Sequence, residues 1–295
     1  MSFSDREKRI SKRKARKVSV IVPNYNYAKY LRRRILSIMQ QTYPIYELII
    51  LDDNSKDSSK TVIKQMAAEA KRINPELKLK LIWNKENSGK VISQWIKGVK
   101  EATGDYIWIA EADDVSRKDF LKEVMRGFEK DPEVVLGYSE SAIINKQGIP
   151  IMPNFRRSRD KEGTGHFAKS YIRPGKHEIE QILAIRCTIP NVSAVVFKNT
   201  PELLKYLKQA EELEQVGDWY LYARLLEKGK IFYNRRSMNF FRIHRGSATK
   251  RGEAHAREVD GMHRYFKKHY DLDANVINWM DVELERTRRK YGIIR

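Results

Sequence analysis

The feature that most constrains this chain is an alternation repeated four times within about its first hundred residues. Short apolar or β-branched runs alternate with segments whose apolar residues recur at helical spacing. Residues 18–22, Val-Ser-Val-Ile-Val, read as a buried strand ended by Pro23. Residues 30–41 carry Leu31, Ile35, Ile38 and Met39 on one helical face. Strands follow at 46–51, 77–83 and 105–110, with helices at 59–73 and 91–102 between them. Such a β-α-β series predicts an α/β fold with a mixed, mainly parallel sheet, right-handed crossovers and helices on both faces. The helix at 118–129 and the strand at 134–139 continue it.

In sheets of this kind ligands bind outside the carboxyl ends of the strands. Three of the predicted strands end there in polar clusters: Pro23-Asn24-Tyr25-Asn26, Asp52-Asp53-Asn54-Ser55 and Glu111-Ala112-Asp113-Asp114. The fold brings these clusters to one edge. Three carboxylates within four residues repel one another unless a hard cation such as Mg²⁺ or Mn²⁺ bridges them to phosphate oxygens. The competing reading is a helix cap before Ser116. Asp52-Asp53 has the same two readings, a helix cap or a carboxylate accepting from a nucleobase or ribose. Tyr25 could pack against a base. In Asn87-Ser88-Gly89-Lys90, glycine would let the backbone approach a ligand and Lys90 would offset phosphate charge, although a plain turn explains the segment as well. Asp218 opens a late helix and by itself reads as a cap; His244, a lone histidine, reads as structural.

Beyond 140 the signal weakens. Residues 150–176 are rich in Pro, Gly and Arg with little periodicity and predict a long loop. A strand at 192–197, helices at 201–213 and 218–227, and two strands at 230–233 and 238–243 follow, and 251–295 is helical in character and need not belong to the same fold. The domain reading is a basic arm at 1–17, a main domain at 18–250 divided at 115/116, and a helical tail at 251–295.

The net charge of +20 concerns partners rather than fold. It fits nucleic acid, an anionic membrane surface or a phosphorylated substrate, and much of it lies in the arm and from Arg156 onward. No nucleic-acid motif accompanies it, so no specific nucleic acid is expected. One cysteine, Cys187, excludes an intrachain disulfide and suits a reducing compartment. With no apolar run near the length of a membrane helix and no secretory signal, a cytoplasmic location is expected, with peripheral attachment at the inner face of the membrane as an option.

Taken in order, these motifs resemble the family-2 glycosyltransferases of the GT-A fold. The resemblance rests on Val22-Pro23-Asn24-Tyr25-Asn26, Gln41-Thr42-Tyr43-Pro44, Asp52-Asp53-Asn54-Ser55, Asn87-Ser88-Gly89, Gly104-Asp105-Tyr106 and Glu111-Ala112-Asp113-Asp114. It is strong over about 18–140 and looser over 190–250. It implies a GT-A (Rossmann-like) fold and inverting transfer of a sugar, of hexosyl type, from a nucleoside-diphosphate sugar to a glycan or lipid-linked hydroxyl in cell-envelope polysaccharide synthesis. A UDP-sugar is the first candidate donor. Pro23, Tyr25, Asp53 and Asp52 would line base and ribose, and Asn87, Lys90, Glu111 and Ala112 the rest of the donor. Asp113 and His244 would hold Mn²⁺ or Mg²⁺, and Asp218 would be the catalytic base. Two departures stand out. Glu111 replaces the usual Asp, and Gln94 and Trp95 occupy a stretch that is often Ala-x-Asn in the family. A sugar nucleotidylyltransferase would instead need a Gly-rich phosphate loop after the first strand. A non-catalytic nucleic-acid-binding protein would leave the acidic clusters without a counter-charge.

Overall fold

A computed structural model describes residues 16–244 and 252–293. Most of the basic arm, the Arg245–Thr249 stretch and the last two residues lie outside the described residues.

Strands β1 (Val18–Asn24), β2 (Glu47–Asp52), β3 (Lys78–Trp83) and β4 (Tyr106–Ile109) are separated by helices α1 (Ala28–Met39), α2 (Ser59–Ile73) and α3 (Val91–Glu101). These four strands pair in parallel in the order β3-β2-β1-β4. The chain winds outward from β1 to β3 and returns with β4 on the other side of β1, which opens a crevice at that switch point. Pro23 does not end the first strand. β1 runs to Asn24, and Pro23 sits beyond the last β1–β4 pair, Ile21 with Ile109, where a missing N–H disrupts no ladder on that side.

The second half is mixed. β5 (Val115–Ser116), helix α4 (Phe120–Lys130), β6 (Val134–Ile144), β7 (Pro150–Met152) and β8 (Tyr171–Pro174) come next. β9 (Val195–Lys198), α5 (Pro201–Ala210), α6 (Gly217–Leu226) and β10 (Lys230–Arg242) complete the sheet. β9 is antiparallel between β4 and β6, while β10 runs parallel to β6. The carboxyl ends of β1, β2, β4, β6 and β10 therefore share one edge.

Two apolar layers cover the sheet. Val18, Val20 and Val22 face α1, α2 and α4, whereas Ile21 faces α3, α5 and α6, as the two-residue strand period requires. Helices α7 (Gly252–His269) and α8 (Ala274–Lys290) form the tail. The tail does not stand apart: Val259, Phe266 and Met280 belong to the second of these layers, and Trp219 packs on Phe266 with ring centroids 5.8 Å apart.

Two other expectations are corrected. The two strands read near 230–243 are one strand, because a bulge between Asn234 and Asn239 inserts extra residues without ending the pairing to β6. The supposed long loop contains β7, β8 and a helical turn at Arg156–Arg159. Buried charge orders it: Arg159 pairs with Glu140 of β6, and Glu178 accepts from Tyr171 at 2.7 Å and faces His166 Nε2 at 3.0 Å.

Candidate functional site

Outside the strand ends lies a cleft of about 520 Å³. The switch point places it, and the loops after β1, β2 and β4 build its walls. Asn26 and Asn54 both adopt left-handed backbone, with φ of 58° and 59°, which asparagine tolerates better than most side chains. The two loops are tied together: Ser55 Oγ accepts from Asn26 N at 2.9 Å, and Asn26 Oδ1 accepts from Lys56 N at 2.7 Å.

Asp53 anchors the next wall. It accepts from Ser88 N at 3.0 Å, Ser88 Oγ at 2.7 Å, Gln94 Nε2 at 3.0 Å and Asn87 Nδ2 at 3.2 Å. The carboxylate thus holds the turn before α3, where Gly89 has φ of 70°. Lys90 lines the cleft, and its Nζ donates to the Glu211 carbonyl at 3.0 Å.

The acidic motif forms the floor. Asp113 Oδ2 lies 2.9 Å from His244 Nε2, and the Asp113 carbonyl accepts from Arg242 Nε at 2.6 Å. Asp114 accepts from Asn191 Nδ2 at 2.8 Å and from Arg242 N at 2.9 Å. Glu111 accepts from Trp95 Nε1 at 2.7 Å. Burial, with Asp113 beside it, pushes the Glu111 carboxyl up to about 8; the same two causes raise Asp114 to about 6. Beneath them Arg34 is fully buried, donates to Ser116 Oγ at 2.9 Å and lies over the Trp108 ring. Burial lowers its guanidinium to about 10, opposed by attraction to Asp114.

Asp218 also lines the cleft, from the first turn of α6. Its Oδ1 accepts from Trp219 N at 2.7 Å, and burial raises its carboxyl to about 6. Gly217 lets that helix start so close: a Cβ there would lie 2.8 Å from the Ala210 carbonyl and 2.4 Å from Ile92 Cδ1. From the tail, Glu258 accepts the backbone N–H groups of Glu214, Gln215 and Val216 at 2.8–3.0 Å, clamping the segment that leads to Asp218.

Of the residues singled out in the sequence, Pro23, Tyr25, Asp53, Asn87, Lys90, Glu111, Asp113 and Asp218 line this cleft. Three sit behind it. Asp52 is buried and accepts from Asn24 Nδ2 at 2.8 Å and Ser55 N at 3.1 Å. The Ala112 side chain is fully buried, and His244 reaches the site through Asp113. The sequence reading missed Tyr27, Asn191, Gln215 and Phe241, which also line the cleft. No motif marks them, since each arrives from a different loop or strand. The two departures from the family pattern touch each other, since the Trp95 indole donates to the longer Glu111 side chain.

With metal ligation the donor set is small. Among the described residues no three His, Cys, Asp or Glu side chains gather as a complete metal-binding group. Asp113 Oδ2 and His244 Nε2 are nonetheless spaced as neighbouring ligands of one octahedral ion, about 3 Å apart for bonds of about 2.1 Å. The carboxylates crowded around them leave negative charge that a cation would offset.

Known proteins share this architecture. The S. aureus TarS fragment 1–349, solved with UDP-GlcNAc, superposes with a TM-score of 0.65 over 93% of this chain and 73% of that one, at 18% identity. The mannosyltransferase PcManGT of Pyrobaculum calidifontis, solved with GDP-Man and Mn²⁺, gives 0.62 over 99% of this chain and 82% of that one, at 16% identity. These likenesses establish the GT-A fold. In sequence, the chain is 32% identical over 129 residues to the glycosyltransferase GlyG of Streptococcus pneumoniae serotype 4, covering 42% of this chain and 40% of that protein. It is 28% identical over 134 residues to TuaG of Bacillus subtilis, named as a teichuronic acid biosynthesis glycosyltransferase, covering 45% and 50%. The chain thus spans half or less of the length of these curated relatives. The model of the family described as glycosyl transferase family 2 matches residues 19–183, more than half of the chain, and the chain therefore belongs to that family.

Proposed function

We propose that the protein transfers a hexosyl group from a nucleoside-diphosphate sugar to a hydroxyl of a glycan or lipid-linked acceptor, with inversion at the anomeric carbon. The observation that carries this reading is the pairing, across one cleft, of the Asp113–His244 couple with Asp218, whose carboxyl burial raises to about 6. A UDP-sugar is the first donor to test, and TarS with bound UDP-GlcNAc supports that choice. A role in cell-envelope polysaccharide synthesis draws support from the naming of TuaG.

Residues 18–115 form the donor half in this reading. Pro23 and the exposed Tyr25 offer an apolar wall for the base. Asp53, already saturated with donors, holds Asn87 and the turn before Lys90 in place for ribose and phosphate, with Asp52 and Ala112 supporting from behind. Glu111 borders the sugar beside Trp95. Asp113 and His244 would hold the metal. When bound, Mn²⁺ or Mg²⁺ supplies Lewis-acid stabilisation of charge on the departing diphosphate. The 116–250 half contributes the acceptor side. There Asp218 takes the proton from the acceptor hydroxyl, and the oxygen forms its new bond to the anomeric carbon as the sugar–phosphate bond breaks on the opposite face. The electron pair leaves with the nucleoside diphosphate. A carboxyl poised near 6 is basic enough to accept the proton and is largely ionised at neutral pH.

The test is a calorimetric titration with UDP, dTDP and GDP, each with Mn²⁺ and with chelator, followed by NMR assignment of the product anomer. Metal-dependent binding of one nucleotide that is lost in Asp113→Ala, with an inverted product, is expected. A retained anomeric configuration would refute the single-displacement mechanism, and the absence of nucleotide binding would refute the donor assignment.

A further inference from the structure

In the second half, next to the cleft but sharing none of its lining residues, the structure exposes an apolar ridge beside a basic hollow. The ridge is the hairpin that joins β6 to β7. Gly148, with φ of 88°, makes its turn, and Ile149-Pro150-Ile151-Met152-Pro153 follows. Ile149 is 58% exposed and Ile151 59%, although both are large apolar residues on ordered backbone. The hollow next to it, of about 500 Å³, is bounded by Pro153 at the ridge and by Arg117, Arg156, Arg235 and Arg236. Its arginines do not arise from a random surface. Asn234 pairs with Ser139 and Ser237 with Glu140, so Arg235 and Arg236 are the extra residues of the β10 bulge and are turned out of the ladder. Ser237 Oγ donates to the Pro153 carbonyl at 2.6 Å and Arg156 donates to the Arg235 carbonyl at 3.0 Å, which joins ridge and hollow into one surface.

The charge is only partly compensated. Arg117 and Arg236 share Asp119 at 3.0 and 3.5 Å. Among the described residues, Arg156 and Arg235 have no ion pair with a carboxylate. Two exposed isoleucines beside it set this hollow apart from an evenly solvated basic face. An exposed apolar ridge beside cations that lack a carboxylate partner matches a bilayer whose surface is anionic and whose interior is hydrocarbon.

We propose that this hairpin and the arginine hollow dock the protein on an anionic membrane, the isoleucines entering the interface and Arg156 and Arg235 contacting lipid phosphates. The surface lies at the lip of the cleft. Phe155 packs at a tilt on Phe241, which lines the cleft, with centroids 6.0 Å apart, and Ile243 N donates to the Ile144 carbonyl at 3.0 Å. A membrane-borne acceptor would thus be presented to Asp218 from that side. This last step rests on the glycosyl-transfer reading; the docking itself does not.

Flotation of the full chain with vesicles of phosphatidylcholine alone, or containing about one third phosphatidylglycerol, tests the proposal. Binding to the anionic vesicles, weakened by salt, is expected. Arg156→Gln combined with Arg235→Gln should reduce it about twenty-five-fold, at about fivefold per cation. Ile149→Ser combined with Ile151→Ser should reduce it about tenfold and remove the part that resists salt. Melting temperature and nucleotide titration, measured on the same samples, separate misfolding or a failed donor assignment from failed docking. Parental vesicle binding in both folded double variants, or no binding by the parent to anionic vesicles, would overturn the proposal.

Discussion

The two halves of the sheet solve the same problem differently. In residues 18–115 the strands β1 to β4 are parallel, β1, β2 and β4 have apolar cores, and apart from Arg34 and Glu47 the buried charged groups gather at the strand ends, where they bond to nearby loops at the cleft rim. In residues 134–243 the strands are mixed and the interior carries charge. Glu140 and Arg159 are almost wholly buried together, Tyr233 donates to the same carboxylate at 2.9 Å, and Arg186 links Glu162 at 2.6 Å to Glu283 of α8 at 3.1 Å. The difference teaches where each half is vulnerable. A polar residue at the rim that loses its partner can turn to water. A buried ion that loses its partner cannot.

The largest effects should fall where the halves meet. Asp218→Asn is expected to lower turnover by about 10²–10⁴-fold while leaving donor binding intact, as single-turnover assays beside the nucleotide titration would reveal. The same variant should raise stability at neutral pH. Because burial lifts the folded carboxyl from near 3.8 to about 6, the fold favours the protonated form. That contribution is fully present below about pH 4 and is lost as the pH climbs through about 6, so removing the charge should add up to about 3 kcal/mol at pH 7. A variant that loses activity without gaining stability would argue against a strained, buried base.

Next in size is Arg159→Met, which strands Glu140 in the interior and should cost about 3–5 kcal/mol in urea unfolding. The matching change at the rim, Asp57→Ala, removes bonds to Ala28 N and Ser59 N at 3.0 and 2.9 Å and should cost about 1 kcal/mol. Equal losses would erase the distinction between the halves.

Glu258→Ala tests whether the tail serves the site. Three backbone donors lose their acceptor, so about 1–3 kcal/mol of local stability should go and turnover should fall about tenfold, with donor affinity unchanged. An unchanged rate would confine the tail to a packing role. The smallest effect is expected at Trp95. A double-mutant cycle of Trp95→Phe and Glu111→Asp, read through donor KM, should give a coupling of about 1 kcal/mol if the two departures from the family pattern work as a unit. Additive effects would make them independent.

Legibility followed the same division. Helix α2 matches its expected bounds, and the strands of the first half match theirs within a residue or two, because apolar runs mark β1, β2 and β4 and alternation marks the edge strand β3. Pro23, Tyr25, Asp53, Glu111 and Asp113 of the cleft are legible for the same reason, since they stand at the ends of such runs. The 150–176 segment looked structureless because its order comes from pairings such as Arg159 with Glu140, 19 positions apart, that have no period. The bulge in β10 hid a single strand as two, and the tail's helical pattern could not say against what it packs.

By itself, then, the sequence determined the parallel half, the edge where a ligand would sit and the carboxylates that gather there, since these follow from periodicity and from short motifs at strand ends. Only the tertiary structure decided which of those polar residues face the cleft. It also decided that Glu111 meets Trp95, that Glu258 clamps the approach to Asp218, and that the isoleucines of 149–151 lie beside a basic hollow. The physical reason is range. Propensity and patterning act within a few residues, whereas a buried charge, a capped segment or a shared surface joins positions that only folding brings together.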